Sequence, residues 1–185
     1  MAKAQTPREA WIEAALGALA AGGPDAVRVE ALAKDLGVSK GGFYWRFSDR
    51  QALLAEALDA WERAGTEEVI ATVEGEAGEP RAKLRRLFEL VPAAKGLFAI
   101  ELALRDWSRR DPAVAARLRR VDDRRMDFLR SLFRQFCSEE DAEARAMLTY
   151  TLFIGSYFVV GGHGERSRGE LVKLALDRLL AGHWD

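Results

Sequence analysis

Two short apolar-striped segments lie within residues 28–47, separated by a turn so brief that few chain paths satisfy both. Val29, Leu32, Ala33 and Leu36 stand at i, i+3, i+4 and i+7, the spacing of one helix face. Gly37 follows, the residue type that ends helices in the left-handed conformation. Val38 is a lone apolar residue in the turn. Ser39 predicts the cap of a further short helix carrying Phe43 and Phe47 four residues apart. Helix, glycine turn and short helix make a helix-turn-helix. Ala33 is small enough for the two helices to approach. Val38 fills the space under the turn, and Phe43 and Phe47 pin the second helix to the first. The outer face of that second helix is Ser39, Lys40, Gly41, Gly42, Tyr44 and Trp45. Each of its two glycines costs a helix about 1 kcal/mol relative to alanine. A purely structural helix would not favour them, whereas close approach of its backbone to a duplex explains them.

The rest of the chain also predicts helices and no alternating strand pattern. Thr6-Pro7-Arg8-Glu9 reads as a capping box before a first helix with Ile12, Leu16 and Leu19, stopped by Gly22-Gly23-Pro24-Asp25. Ser48 with Gln51 reads as another, opening a long fourth helix to about Val73. A fifth helix starts at Pro80 and stops at Pro92. A sixth runs from about Lys95 to Arg109. A seventh runs from the Asp111-Pro112 cap to about Phe136. An eighth runs from Ser138 to about Val160, and a ninth from Ser167 to about Ala181. The expected fold is all-α with about nine helices. A three-helix helix-turn-helix domain occupies residues 1–55, and a larger helical bundle for effector binding and dimerisation occupies residues 56–185.

Composition narrows the function classes. With 49% hydrophobic and 31% charged residues, the 185-residue chain can bury a core and stay soluble. The one cysteine, Cys137, excludes an internal disulfide and a cysteine-based zinc site, which fits a reducing cytoplasm. The N-terminus has no apolar signal region. The apolar stretch from Ala146 to Gly162 is shorter than the ~20 residues of a spanning helix. The two histidines, His163 and His183, have no ligand spacing around them, and no glycine-rich phosphate loop follows a strand. No enzyme, metal or cofactor is therefore expected. The net charge of −1 does not announce a nucleic-acid binder, but within residues 39–50 Lys40, Arg46 and Arg50 face only Asp49. Local charge governs phosphate contact more than the total does.

The run Leu32-Ala33-x-x-Leu36-Gly37-Val38-Ser39-Lys40-Gly41-Gly42-Phe43-Tyr44-x-x-Phe47-x-x-Arg50-x-x-Leu53-Leu54 resembles the N-terminal signature of the TetR (tetracycline-repressor-like) family, over about residues 8–55. The resemblance implies a DNA-binding transcriptional regulator. Lys40 and Gly41 would face base edges, with Gly42 where a small polar residue is usual. Tyr44 would contact phosphate and base edges. Arg46 stands where a His is common, and Arg50 where a Lys usually touches phosphate. Arg and Lys neutralise phosphates, and Lys40 suits guanine O6 and N7. Other readings stand beside these. Lys40 is a solvated charge, Tyr44 packs on Phe47, Trp45 stacks on the core or meets the DNA backbone, and Arg46 and Arg50 pair with Asp49 or Glu56. Arg28 departs from the family's Thr or Ser at the start of helix two. It either contacts phosphate itself or the helix starts earlier, at Asp25. Glu30 would repel phosphate if it faced DNA.

The resemblance extends more loosely to the C-terminal bundle. Helices eight and nine are too broadly apolar for helices covered on one side, which suggests a four-helix homodimer interface using Phe153, Tyr157, Leu171, Leu174 and Leu179. The family places a ligand pocket among helices five to seven. Its candidates here are Phe88, Val91, Phe98, Leu102, Trp107, Met126, Leu129 and Phe133, which suit a hydrophobic effector. The expected function is a cytoplasmic homodimeric repressor, released from palindromic double-stranded operator DNA by a small molecule. The alternative is a helical ligand-binding or adaptor protein with degraded DNA binding.

Overall fold

The computed structural model describes residues 7–93, 96–159, 161 and 164–181, with side chains at all of these but 91–93. Thr6, Lys95, Val160, Gly162, His163 and His183 lie outside the described residues, as does the side chain of Val91. The elements are α1 (Arg8–Gly22), a 3-10 turn (Pro24–Ala26), α2 (Val29–Asp35), α3 (Lys40–Tyr44), α4 (Arg50–Glu62), a π turn (Arg63–Glu67), α5 (Glu68–Gly75), α6 (Pro80–Ala93), α7 (Leu97–Ser108), α8 (Pro112–Phe133), α9 (Glu139–Gly155) and α10 (Arg168–Leu180). The described residues include no strand. With the π turn joining α4 to α5, the long fourth helix is present and the all-α fold is as expected.

Caps explain most of the boundaries. Asp111 Oδ1 accepts from the amides of Ala113 and Val114 at 2.9 and 3.2 Å and opens α8. Ser138 accepts from Asp141 N, and Ser167 with Glu170 forms a complete capping box at α10. Three boundaries differ from expectation, the seventh predicted helix ending at Phe133 rather than about Phe136. The cap of α4 is Asp49 rather than Ser48: its Oδ1 accepts from Ala52 N at 2.8 Å. A charged carboxylate is the stronger acceptor for an orphan helix amide. The eighth predicted helix stops at Gly155 rather than near Val160. There the bonding tightens to i+3, with Phe158 N donating to Gly155 O at 3.0 Å, and Ser156 Oγ donates to Phe153 O at 2.8 Å. The apolar run continues past this point, but apolar character does not prevent a glycine and a back-bonding serine from closing a helix.

The chain forms two compact units: Met1–Glu68 with Ala94–Val121, and Val69–Ala93 with Asp122–Asp185. The first is therefore larger than a 55-residue helix-turn-helix. Its core gathers Trp11, Leu19, Leu32, Phe43, Phe47 and Trp61 with Ile100, Leu104, Leu118 and Val121 from α7 and the start of α8. The second core gathers Val73, Leu84, Phe128, Leu132, Phe133, Ala146, Leu176 and Leu180.

The second unit contains a buried arginine. Arg145 on α9, only 4% exposed, donates through Nη1 to Leu179 O at 2.7 Å and Ala181 O at 2.8 Å. Arg81 Nε adds a bond to Leu180 O at 3.0 Å. The last carbonyls of a helix have no internal partners and carry its negative dipole end, so two guanidinium groups satisfy both needs. Arg145→Met keeps the volume but removes these donors. It is expected to destabilise the second unit by about 2–4 kcal/mol, read by urea denaturation, because buried carbonyls are left unpaired.

Candidate nucleic-acid interface

The turn between α2 and α3 is a Schellman ending. Gly37 sits at φ 67°, Gly37 N donates to Lys34 O at 3.0 Å, and Val38 N donates to Ala33 O at 2.9 Å. Half-buried Val38 packs against the first core, as the turn required. Ser39 precedes α3 in extended conformation, but its side chain accepts no capping bond. Five residues cannot hold a helix by themselves, so α3 is positioned by its buried side. Phe43 is fully buried, edge-on to Trp11 at 5.4 Å between centroids and stacked on Phe47 at 5.5 Å.

Opposite that buried edge, Tyr44 is 56% and Trp45 is 81% exposed. Tyr44 contacts Phe43 edge-on at 5.1 Å and leaves most of its surface in solvent. Trp45 is not stacked on the core. A Cβ added at Gly42 would meet nothing within 4 Å, and one at Gly41 only Ser39 Oγ at 3.7 Å. Neither glycine has a positive φ. Among the described residues nothing requires either glycine, and the space they leave is open.

The cations around this face are unequally placed. Arg28 is exposed at the extended N-cap of α2 and makes no side-chain cap. Helix α2 does not start at Asp25, which lies in the preceding 3-10 turn. Lys40 Nζ donates to Glu30 Oε1 in an ion pair. This hydrogen bond holds the Glu30 carboxyl below the usual carboxylate range and pushes the Lys40 ammonium up. Half-buried Arg46 follows Trp45. Arg50 donates to Val27 O at 2.6 Å and to Pro24 O, so its guanidinium braces the turn between α1 and α2, not Asp49 or Glu56.

Arg8 was not singled out in the sequence, yet it ties three elements together. It donates through Nη1 to Arg46 O, and through Nε (2.7 Å) and Nη2 to the two oxygens of Glu56. Its guanidinium carbon lies 4.4 Å from the Phe47 ring centroid. The bond to Arg8 is the main cause holding the Glu56 carboxyl below its ordinary range. One signal was available: a cation in the first turn of α1 opposes the helix dipole, which marks a residue placed there for another contact.

The proposed pocket residues are divided between the units. Phe98, Leu102 and Trp107 are half-buried in the first, where Trp107 lines a groove of about 280 Å³ with Leu54, Leu58 and Arg117. Met126, Leu129 and Phe133 are sealed in the second core. Phe88 lines a groove of about 360 Å³ in the second unit and meets Phe153 edge-on at 6.3 Å. Tyr157 lines that groove too, so Phe153 and Tyr157 flank Phe88. Leu171, Leu174 and Leu179 line a separate open groove of about 810 Å³ with Leu148, Leu152 and Val159 on α9 and the turn after it. Leu174 at 40%, Leu148 and Val159 are exposed there, whereas Leu179 is buried. Among the described residues no group of acidic, histidine or cysteine side chains forms a metal cluster, and no helix is long and apolar enough to cross a membrane.

Residues 12–57 match the family described as bacterial regulatory proteins, tetR family. A comparison with curated proteins found no match. Among solved structures, a transcriptional regulator from Rhodococcus sp. Rha1 is similar over 95% of this chain and 94% of its own, at 22% identity and a TM-score of 0.73. AibR, solved in complex with isovaleryl coenzyme A and operator DNA, is similar over 94% of this chain and 97% of its own, at 16% identity and a TM-score of 0.70. A TetR-family regulator from Agrobacterium tumefaciens covers 92% of this chain and 96% of its own, at 16% identity and a TM-score of 0.75. At these identities the likeness is one of fold. The geometry around Arg8 generates its own test. Arg8→Ala is expected to lower the melting temperature and to speed amide hydrogen exchange at residues 43–47. Unchanged exchange there would show that α3 is held without it.

Proposed function

We propose that the chain, whose residues 12–57 match the tetR family of bacterial regulatory proteins, acts as a homodimeric repressor of palindromic operator DNA, released by a small hydrophobic or amphipathic effector. The observation that carries the DNA reading is the pair of large, exposed aromatic side chains, Tyr44 and Trp45, beside Lys40 on a helix whose opposite edge is buried. Tyr hydroxyl and indole N–H groups donate to phosphate oxygens, and Lys40 reaches phosphate or guanine. Arg28 and Arg46 add charge at the two ends of this face. Arg50 takes a positioning role in this reading, through the Val27 and Pro24 carbonyls.

The exposed apolar groove of α9 and α10 suits a second copy of the chain. Two symmetric copies present two α3 helices to half-sites one helical turn apart. AibR was solved with isovaleryl coenzyme A and operator DNA; operator DNA and a small hydrophobic or amphipathic ligand are the corresponding proposal here. An effector that binds better to the DNA-free form weakens operator affinity by its differential binding. The Glu30–Lys40 pair is the one observation favouring the adaptor alternative, since it places an anion on the same face.

Fluorescence anisotropy with the duplex upstream of the gene tests the proposal. Lys40→Ala and Tyr44→Ala are each expected to weaken binding about tenfold, and Lys40→Ala to reduce the salt slope by about 1. Folded variants that bind as tightly as the unsubstituted protein would refute the assignment of α3. In sedimentation, Leu174→Glu is expected to shift a dimer to monomer, and an unshifted dimer would move the interface elsewhere.

A further inference from the structure

The geometry points to Glu30 as a specificity-determining residue: by holding Lys40 it penalises binding to duplex of any sequence, and it recovers that penalty only where a base edge presents an amino donor. This rests on the DNA-binding reading above. Glu30 lies in the first turn of α2, exposed, with its carboxylate on the Lys40 ammonium; the two side chains are 67% and 51% exposed. Arg28, two residues earlier, adds a favourable electrostatic interaction with the same carboxylate. One anion thus pairs with Lys40 and interacts more weakly with Arg28 at this corner of the face.

Stability does not account for this arrangement. Exposed ion pairs contribute little to folding, and α3 is already held by Phe43, Phe47 and the Schellman turn. An acid in the first turn of α2 does suit the helix dipole. That effect would be met by any carboxylate there and does not require one that reaches Lys40. On a duplex the pair has a cost. Lys40 must leave Glu30 to meet a phosphate or base, and the freed carboxylate then lies among phosphates. The cost is the same for every sequence unless the carboxylate finds a donor. In the major groove that donor is the N4 amino group of cytosine, the usual partner of Glu. An opposing charge that only the correct partner relieves raises discrimination while lowering generic affinity.

The experiment selects an operator from a random duplex pool with the unsubstituted protein. Anisotropy is then measured for the selected duplex and a scrambled one of equal length, across a salt series. Glu30→Gln is expected to bind the scrambled duplex about 5–10-fold tighter near 0.1 M salt, with a slope steeper by about 0.9. The selected duplex should gain nothing, so the ratio between them falls about tenfold. In a Lys40→Gln background the gain on scrambled duplex should shrink to the part that comes from carboxylate–phosphate repulsion alone. No gain on scrambled duplex, an equal gain on both, or an undiminished gain without Lys40 would each overturn the role of Glu30 and leave the regulator reading standing. Failure of the unsubstituted protein to enrich or bind any duplex would overturn both.

Discussion

The wedge of Phe43 and Phe47 against Trp11 is the contact on which the exposed face of α3 depends. Helix α3 is too short for its own hydrogen bonds to stabilise it, so its position is imposed by what it buries. Two phenylalanines four residues apart fix both its depth and its rotation. Rotation matters most: with Phe43 inward, Tyr44 and Trp45 have only solvent to occupy. The same registry leaves the space beside the two glycines open. Burying two aromatic rings contributes several kcal/mol by area, which is ample to hold one helical turn in a single orientation.

Two arginines complete the frame from outside. Arg8 bridges the chain just past α3 to α4, and Arg50 closes the turn between α1 and α2. Both bind main-chain carbonyls as well as, or in place of, a carboxylate, so they restrain backbone and not only side chains. Arg145 does the same for the end of α10. The guanidinium group suits this work, because its several donors lie in one plane and remain charged at any ordinary pH.

What could be read from the sequence follows from range. Local patterns identified the helices, the Gly37 turn, the inward phenylalanines and three of the caps, because each depends on residues within one or two turns of each other. The buried side of α3 was legible from Phe43 and Phe47, although the helix ends at Tyr44 and Phe47 follows it. Contacts across long separations were not legible. Arg8 with Glu56, Arg145 with the end of α10, and Arg50 with the Val27 carbonyl join residues that only the folded chain brings together. Glu30 was seen as a charge on a helix, but its pairing with Lys40 depends on the angle between α2 and α3. The grooves were least legible. Phe153 and Tyr157 read as part of one stripe with Leu148 and Leu152, yet a helix of this width divides such a run between two sides.

The exposure of Trp45 has a practical corollary. Of the five tryptophans, Trp11 and Trp61 are sealed in the core, Trp107 is half-buried and Trp184 lies outside the described residues. Indole emission shifts and dims with the water around the ring. Trp45, at the tip of α3, therefore gives the protein an intrinsic optical reporter: whatever docks on that helix must first strip solvent from this ring, and the event announces itself without a dye.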